Sequence, residues 1–270
     1  MITQTIRTIS PSEAADILAE KNSSNRRISN PHVDSLARDM RSGNWRETGD
    51  PIRFLEDGTL ADGQHRLAAC VKANIPIRVT VVSGLSRDDM LAVDRGRVRS
   101  IGDGLTIAHG VPSGARTAAA IRSAFCYAYG VASTSTTPSE VDKFYMAHTG
   151  IVDSIRAAGQ IGSGLGDSSA AALHYIAHWL GHGERADAMF HVFKTGVPDY
   201  PDCPAHLYRE RMLRDRARRT PVGRARQMDL LATAWRHFLR RRPTKVVKPN
   251  DNLTIDGWTP ASLFAATKPL

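Results

Sequence analysis

The chain has 270 residues, of which 41% are hydrophobic and 23% charged, with a formal net charge of +9. That length accommodates two modest domains or one domain with a helical extension, and the composition is that of an ordinary globular chain. No apolar run approaches the roughly 18 residues that span a bilayer. Met1-Ile2-Thr3-Gln4-Thr5 lacks the basic-then-apolar order of a signal peptide. A cytoplasmic location with no membrane partner is therefore expected. Cys70, Cys126 and Cys203 are far apart in sequence, which argues against a disulfide framework or a structural zinc cluster.

In chain order, residues 10–20 read as a short helix, capped by Ser10 or Ser12, with Ala14, Ile17 and Leu18 on one face. Residues 21–30 are polar and loop-like. Asn30-Pro31 predicts a helix start with Asn30 as N-cap, and Val33, Leu36, Ala37 and Met40 follow helical spacing to Gly43. Residues 51–56 and 59–61 read as two strands around an Asp57-Gly58 turn. Asp62-Gly63-Gln64-His65-Arg66 opens a helix that Asn74 closes, and the β-branched run 75–82 is a strand. Ser86 is read as capping a helix that carries Met90, Leu91 and Val93. The order is α/β.

After Gly104 the character changes. Residues 115–129, 138–148, 151–158, 168–180, 184–193, 205–218 and 221–239 read as helices, with no convincing strand. The expected organisation is an α/β domain over 1–105, an all-α, arginine-rich domain over 112–248 and a tail over 249–270. The charge is regional. Between residues 206 and 248, fourteen Lys/Arg stand against three Asp/Glu, a net of +11, which leaves the rest of the chain at about −2. Arg209, Arg211, Arg214, Arg216, Arg218, Arg219, Arg224 and Arg226 are the candidate nucleic-acid contacts, most simply with backbone phosphates. A solvated arginine-rich face is the alternative. Two helices joined by a short turn there allow a helix-turn-helix pair, but nothing fixes a recognition helix.

The strongest site candidate is the 57–69 hairpin-to-helix junction. Gly63 permits a sharp turn, and a helix N-terminus with free amides and a positive dipole end receives phosphate. His65 adds a proton-transfer group and Arg66 a cation that can grip phosphate oxygens in a fork. Asp62 stands where it can bind Mg²⁺ or act as a base. The plainer alternative is that Asp62 caps the helix and Arg66 pairs with a neighbour. Arg95, Arg97 and Arg99, at alternate positions around Gly96, suit a second phosphate-contacting loop; Asn25 and Arg26 are a weaker candidate. His174, His178 and His182 recur at helical spacing that can chelate a metal, although Gly181 falls before the last and no carboxylate occupies the metalloprotease position. Gly162-Ser163-Gly164-Leu165-Gly166 lacks the Lys-Ser/Thr of a P-loop and reads as a linker.

Leu60-Ala61-Asp62-Gly63-Gln64-His65-Arg66-Leu67-Ala68-Ala69 resembles the signature of ParB/sulfiredoxin-like proteins. Asn25-Arg26-Arg27-Ile28, Gly43-Asn44-Trp45 and Pro51-Ile52 resemble the preceding segment in phage and actinobacterial members. The likeness covers residues 7–105. In that family, partition proteins carry Gly-Glu-Arg-Arg and bind CTP, and sulfiredoxins carry Gly-Gly-Cys-His-Arg and use ATP. Free serine kinases carry Asp-Gly-His-His-Arg, and phosphorothioation regulators of the DndB type carry Asp-Gly-Gln-His-Arg. The resemblance implies a ParB/sulfiredoxin-type domain that binds a nucleoside triphosphate (ATP or CTP) with Mg²⁺ through Asp62, Gly63, Gln64, His65 and Arg66, with the 95–99 arginines completing the site. It also implies DNA as a partner, a homodimer, and a phage or mobile-element regulator or partition-like role. Gln64 replaces the partition glutamate and the kinase histidine, and the sulfiredoxin cysteine is missing. A phosphotransferase or nucleotide hydrolase, with Asp62 or His65 as base and Arg66 stabilising the transferred group, is the alternative; an interaction domain without nucleotide is the third.

Overall fold

A computed structural model describes the chain except for Ser24, Arg26, residues 87–99, Ser163, Pro221 and residues 266–270. The expected helix after Ser86 and the arginines at 95, 97 and 99 lie outside the described residues. Contacts between Cα atoms divide the chain into two compact units, Met1–Val98 and Arg99–Leu270.

The first unit is α/β. Strands β1 (Thr3–Ile9), β2 (Ile52–Leu55), β3 (Leu60–Asp62) and β4 (Ile77–Leu85) form one sheet in the order β1-β4-β2-β3. β1 pairs with β4 antiparallel, from Thr3 opposite Ser83 to Ile9 opposite Ile77; β4 and β2 are parallel; β2 and β3 form an antiparallel hairpin. Strand β1 was not among the expected elements. Only Ile9 of its seven residues is buried, so it has no alternating apolar face to betray it. Helices α1 (Pro11–Lys21), α2 (Asn30–Arg41) and α3 (Gln64–Ala73) complete the unit, with α3 packed against both α1 and α2.

Ser10 caps α1, its Oγ accepting from the Glu13 amide at 3.1 Å. The expected cap of α2 is corrected by one residue: Ser29 is the extended N-cap, Asn30 is the first helical residue, and no side chain caps this end. Ile9, Ile17, Val33, Met40, Ile52, Leu60, Leu67, Ile77 and Val79 make the core. Cys70 belongs to it, its thiol 3.1 Å from the Ile75 carbonyl, and burial pushes its pKa up. That is the state of an inert core thiol.

The second unit is helical among the described residues: α4 (Ile101–His109), α5 (Gly114–Tyr129), α6 (Pro138–Ala147), α7 (Ile151–Gly159), α8 (Ser168–Trp179), α9 (Gly183–Thr195), α10 (Pro204–Ala217) and α11 (Arg224–Leu239), then a 3-10 turn at Pro260–Phe264. Helix α4 was not expected. It starts from a Ser100/Asp103 capping box and crosses α5 where a Cβ on Gly114 would sit 2.1 Å from the Gly102 carbonyl oxygen. Alanines 118, 120, 124 and 128 leave α5 slim enough for close neighbours, and they are buried with Phe125 and Tyr127 among α7, α8 and the C-terminal turn. The segment expected as a tail instead enters this core. Leu253, Ile255, Trp258 and Leu263 are buried, and the Trp258 indole donates to the Ala124 carbonyl at 2.9 Å.

Candidate functional site

The Asp57-Gly58 turn returns β3 alongside β2, with Gly58 at φ +81° and the Thr59 amide bonded to the Asp57 carboxylate at 2.9 Å. A bulge between Arg53 and Phe54 restores the register so that Arg53 faces Asp62 across the pair. Gly63 then breaks from strand to helix at φ +106°, as the N-cap of α3, and as a glycine it supplies no side-chain cap. A side chain there would be strained twice over, because that φ belongs to glycine and a Cβ would lie 2.3 Å from Ile52 Cδ1.

The five residues of the junction divide into separate tasks. Asp62 is not the helix cap. Its Oδ2 accepts from Arg53 at 2.6 Å and from Arg66 at 3.2 Å, so two guanidiniums share one carboxylate oxygen. Arg66 also donates to the carbonyls of Asp50 and Pro51, the latter at 2.9 Å. Burial lowers the Arg66 pKa, with Asp62 and Asp50 working against that shift. Gln64 is buried and accepts from the Asn22 amide group at 3.2 Å. His65 Nε2 accepts the Ser29 backbone N–H at 3.0 Å, and its ring meets that of His32 edge-on at 5.1 Å. With Nε2 accepting, the ring carries its proton on Nδ1.

Asp62 and Arg66 are therefore brought together, while His65 is tied to the start of α2. Asn25, a weaker candidate, donates to the Leu60 carbonyl at 2.6 Å. Asn22, Asn25 and Ser29 thus brace the junction from one loop. Arg53, Asn22 and Ser29 were not foreseen. Only Arg53 had a legible signal, since it lies symmetrically opposite Asp62 about the Asp57-Gly58 turn. Chemically the junction offers a helix amide end next to an Arg53–Asp62–Arg66 cluster of net charge +1.

The basic region also splits. Arg209 donates to the Phe193 carbonyl at 3.0 Å and pairs with Glu210 at 2.6 Å; Arg211 donates to the Val247 carbonyl at 3.1 Å and pairs with Asp215. Both are part of the packing. Arg214, Arg216, Arg218, Arg219, Arg224 and Arg226 are exposed around the end of α10 and the first turn of α11. Arg224 reaches Ser123 Oγ at 3.0 Å; the other five form no ion pair among the described residues. Beyond its first turn α11 is largely buried, including Leu230, Leu231, Trp235 and Phe238, so it cannot enter a DNA groove lengthwise. The glycine-rich stretch is a connection between α7 and α8, with Leu165 buried and Asp167 capping α8 through the Ser169 and Ala170 amides.

Gly181 separates the third histidine from the first two, as its place before His182 predicts. His182 lies beyond the end of α8 as the residue preceding α9. Asp187 of α9 supplies a carboxylate to His174 and His178 instead.

No family model, curated protein or solved structure matches this chain. No helix among the described residues is long and apolar enough to cross a membrane.

Proposed function

We propose that this chain is a nucleotide-binding, DNA-associated regulator of ParB/sulfiredoxin-like type, its first unit taking the phosphates of ATP or CTP at the start of α3 and its helical unit holding DNA by the backbone. The observation that carries this reading is the set of five exposed arginines, Arg214, Arg216, Arg218, Arg219 and Arg226, without ion pairs among the described residues and gathered at one helix–helix junction. Arg226 and Arg224 stand in the first turn of α11, where the helix dipole is already positive and no acidic residue offsets it. An external polyanion relieves that unfavourable placement.

The junction at Gly63 supports the nucleotide half, since a glycine-capped helix end beside two guanidiniums suits phosphate. Magnesium fits better on the nucleotide's own phosphates than on Asp62, whose Oδ2 two arginines already hold. For the same reason a regulator is favoured over a phosphotransferase: Asp62 and the Nε2 of His65 are both engaged within the fold. A homodimer is part of the proposal by resemblance alone.

Two titrations test it. Calorimetry with ATP and CTP in Mg²⁺ is expected to show binding that Arg53→Ala weakens at least tenfold, in a variant whose thermal melt shows that it is folded. Fluorescence anisotropy with duplex DNA is expected to show affinity that falls steeply with salt. Absence of both overturns the reading; DNA binding without nucleotide leaves only its second half.

A further inference from the structure

His174 and His178 are one turn apart on α8, with ring centroids 4.5 Å from each other. Helix α9 turns back after Gly181, and Gly183 lets its first residues lie against the His178 ring, since a Cβ there would be 2.5 Å from Nδ1. One turn on, Asp187 Oδ1 stands 2.9 Å from His174 Nε2 and 3.1 Å from His178 Nε2. The three donor atoms all lie within 4.8 Å of one another; among the described residues no other His, Cys, Asp or Glu trio does so. We propose that His174, His178 and Asp187 form a binding site for one divalent transition-metal ion of the zinc class.

The surroundings are those of a held ligand. The His174 side chain is only 7% exposed, its Nδ1 is 2.9 Å from Ser154 Oγ, and Phe190 packs on the ring at 4.2 Å between centroids. A partner on the far ring nitrogen fixes the tautomer and the aim of a ligating imidazole. His178 and Asp187 are 42% and 61% exposed, which leaves an entry path and room for water in a fourth position. Ligand atoms at about 2.0–2.1 Å from a tetrahedral zinc stand roughly 3.3 Å apart. The two histidine–Asp187 separations, 2.9 and 3.1 Å, need open by only a few tenths of an ångström. Two imidazoles and one carboxylate select zinc, cobalt or nickel over magnesium and calcium, which prefer all-oxygen sets. The alternative is a hydrogen-bonded clamp that joins α8 to α9 and binds no ion.

The test is titration of chelator-stripped full-length protein with Zn²⁺ against a competing chromogenic chelator, beside His178→Ala, Asp187→Asn and His182→Ala. The wild type and His182→Ala are expected to take up one equivalent with equal affinity. Asp187→Asn is expected to lose at least tenfold, and His178→Ala more. Both substitutions are at exposed positions, and thermal melts without metal check that the variants are folded. Co²⁺ added to the wild type gives a second readout independent of any variant: intense visible bands of a four-coordinate site are expected. Zinc affinity equal in wild type and His178→Ala, or a cobalt spectrum no stronger than that of the hydrated ion, overturns the proposal in favour of the clamp.

Discussion

Helices α3 and α11 begin alike. Each has a glycine N-cap, Gly63 or Gly223, no side-chain cap and no acidic residue in its first turn, and each places arginine there: Arg66 in one, Arg224 and Arg226 in the other. Cations at the positive end of a helix dipole are unfavourable. At α3 the fold resolves this internally, because Asp62 and the Asp50 and Pro51 carbonyls receive the Arg66 guanidinium. At α11 it does not: Arg226 is exposed without an ion pair among the described residues, and Arg214, Arg216, Arg218 and Arg219 gather nearby. The comparison separates structural arginines from available ones, a distinction that a count of charges cannot make.

The sharpest way to break it is at α11. Replacing Arg214, Arg216, Arg218, Arg219 and Arg226 together by Gln is expected to remove most DNA affinity. If each meets one phosphate, the wild type loses roughly two to three decades of affinity between 50 and 200 mM salt, and the variant nearly none of it. Arg209→Gln, which disrupts packing against Phe193 and Glu210, is expected to leave the salt slope unchanged while lowering stability. Equal slopes for wild type and the fivefold variant, measured by anisotropy, would show that those arginines are merely solvated.

At α3 the expected effect is on folding. Arg66→Ala removes a largely buried guanidinium bonded to two carbonyls and a carboxylate. A loss of about 1.5–3 kcal/mol is expected in urea unfolding, the range for hydrogen bonds involving charged groups. Arg66→Lys recovers little of it, since one ammonium cannot reproduce the planar fork. A fully stable Arg66→Ala would place this arginine with the available set.

A smaller effect tests whether the helical unit is sealed as tightly as its core suggests. His148 is fully buried between Tyr175 Oη at 2.8 Å and the Ser262 carbonyl at 3.0 Å, and burial lowers its pKa while the hydrogen bonds to Ser262 and Leu263 oppose the shift. A depressed folded-state pKa means that the unfolded chain takes up the proton first as pH falls. Stability from this residue is present above the unfolded value of 6.5 and is lost as pH drops from there toward the folded pKa. The slope cannot exceed about 1.4 kcal/mol per pH unit. Urea midpoints at pH 8 and 5.5 are expected to differ in the wild type and to differ less in His148→Gln.

Much of this was legible where local rules act alone. Pro138 after Thr137, the Ser10 cap and the Asn74 stop mark helix ends through contacts made within a few residues. The 62–66 junction was legible as a place, because a glycine between strand and helix has few other uses. What its side chains do was not. The partners of Asp62, Gln64 and His65 are Arg53, Asn22 and Ser29, brought in by the loop before α2 and by a bulge in β2. Strand β1 escaped because its neighbour β4, not its own pattern, makes it a strand. Asp187 escaped because a histidine pair on one helix says nothing of the helix that folds back beside it.

Helix α4 is the case in which a local signal was present and outweighed. Gly102 and Gly104 lower the helix propensity of its first turn, yet Ser100 accepts from the Asp103 amide at 3.1 Å and Asp103 accepts from the Ser100 amide at 2.9 Å. This reciprocal box satisfies two otherwise orphaned donors. Gly102 also earns its position by allowing the close crossing with α5. Ser100→Ala is expected to cost about 0.5–1 kcal/mol, the smallest effect among these predictions, and to raise hydrogen exchange in the 101–109 segment before any other part of the helical unit. Exchange unchanged there would mean that the crossing with α5, not the cap, holds the helix, and that its glycines were the stronger signal all along.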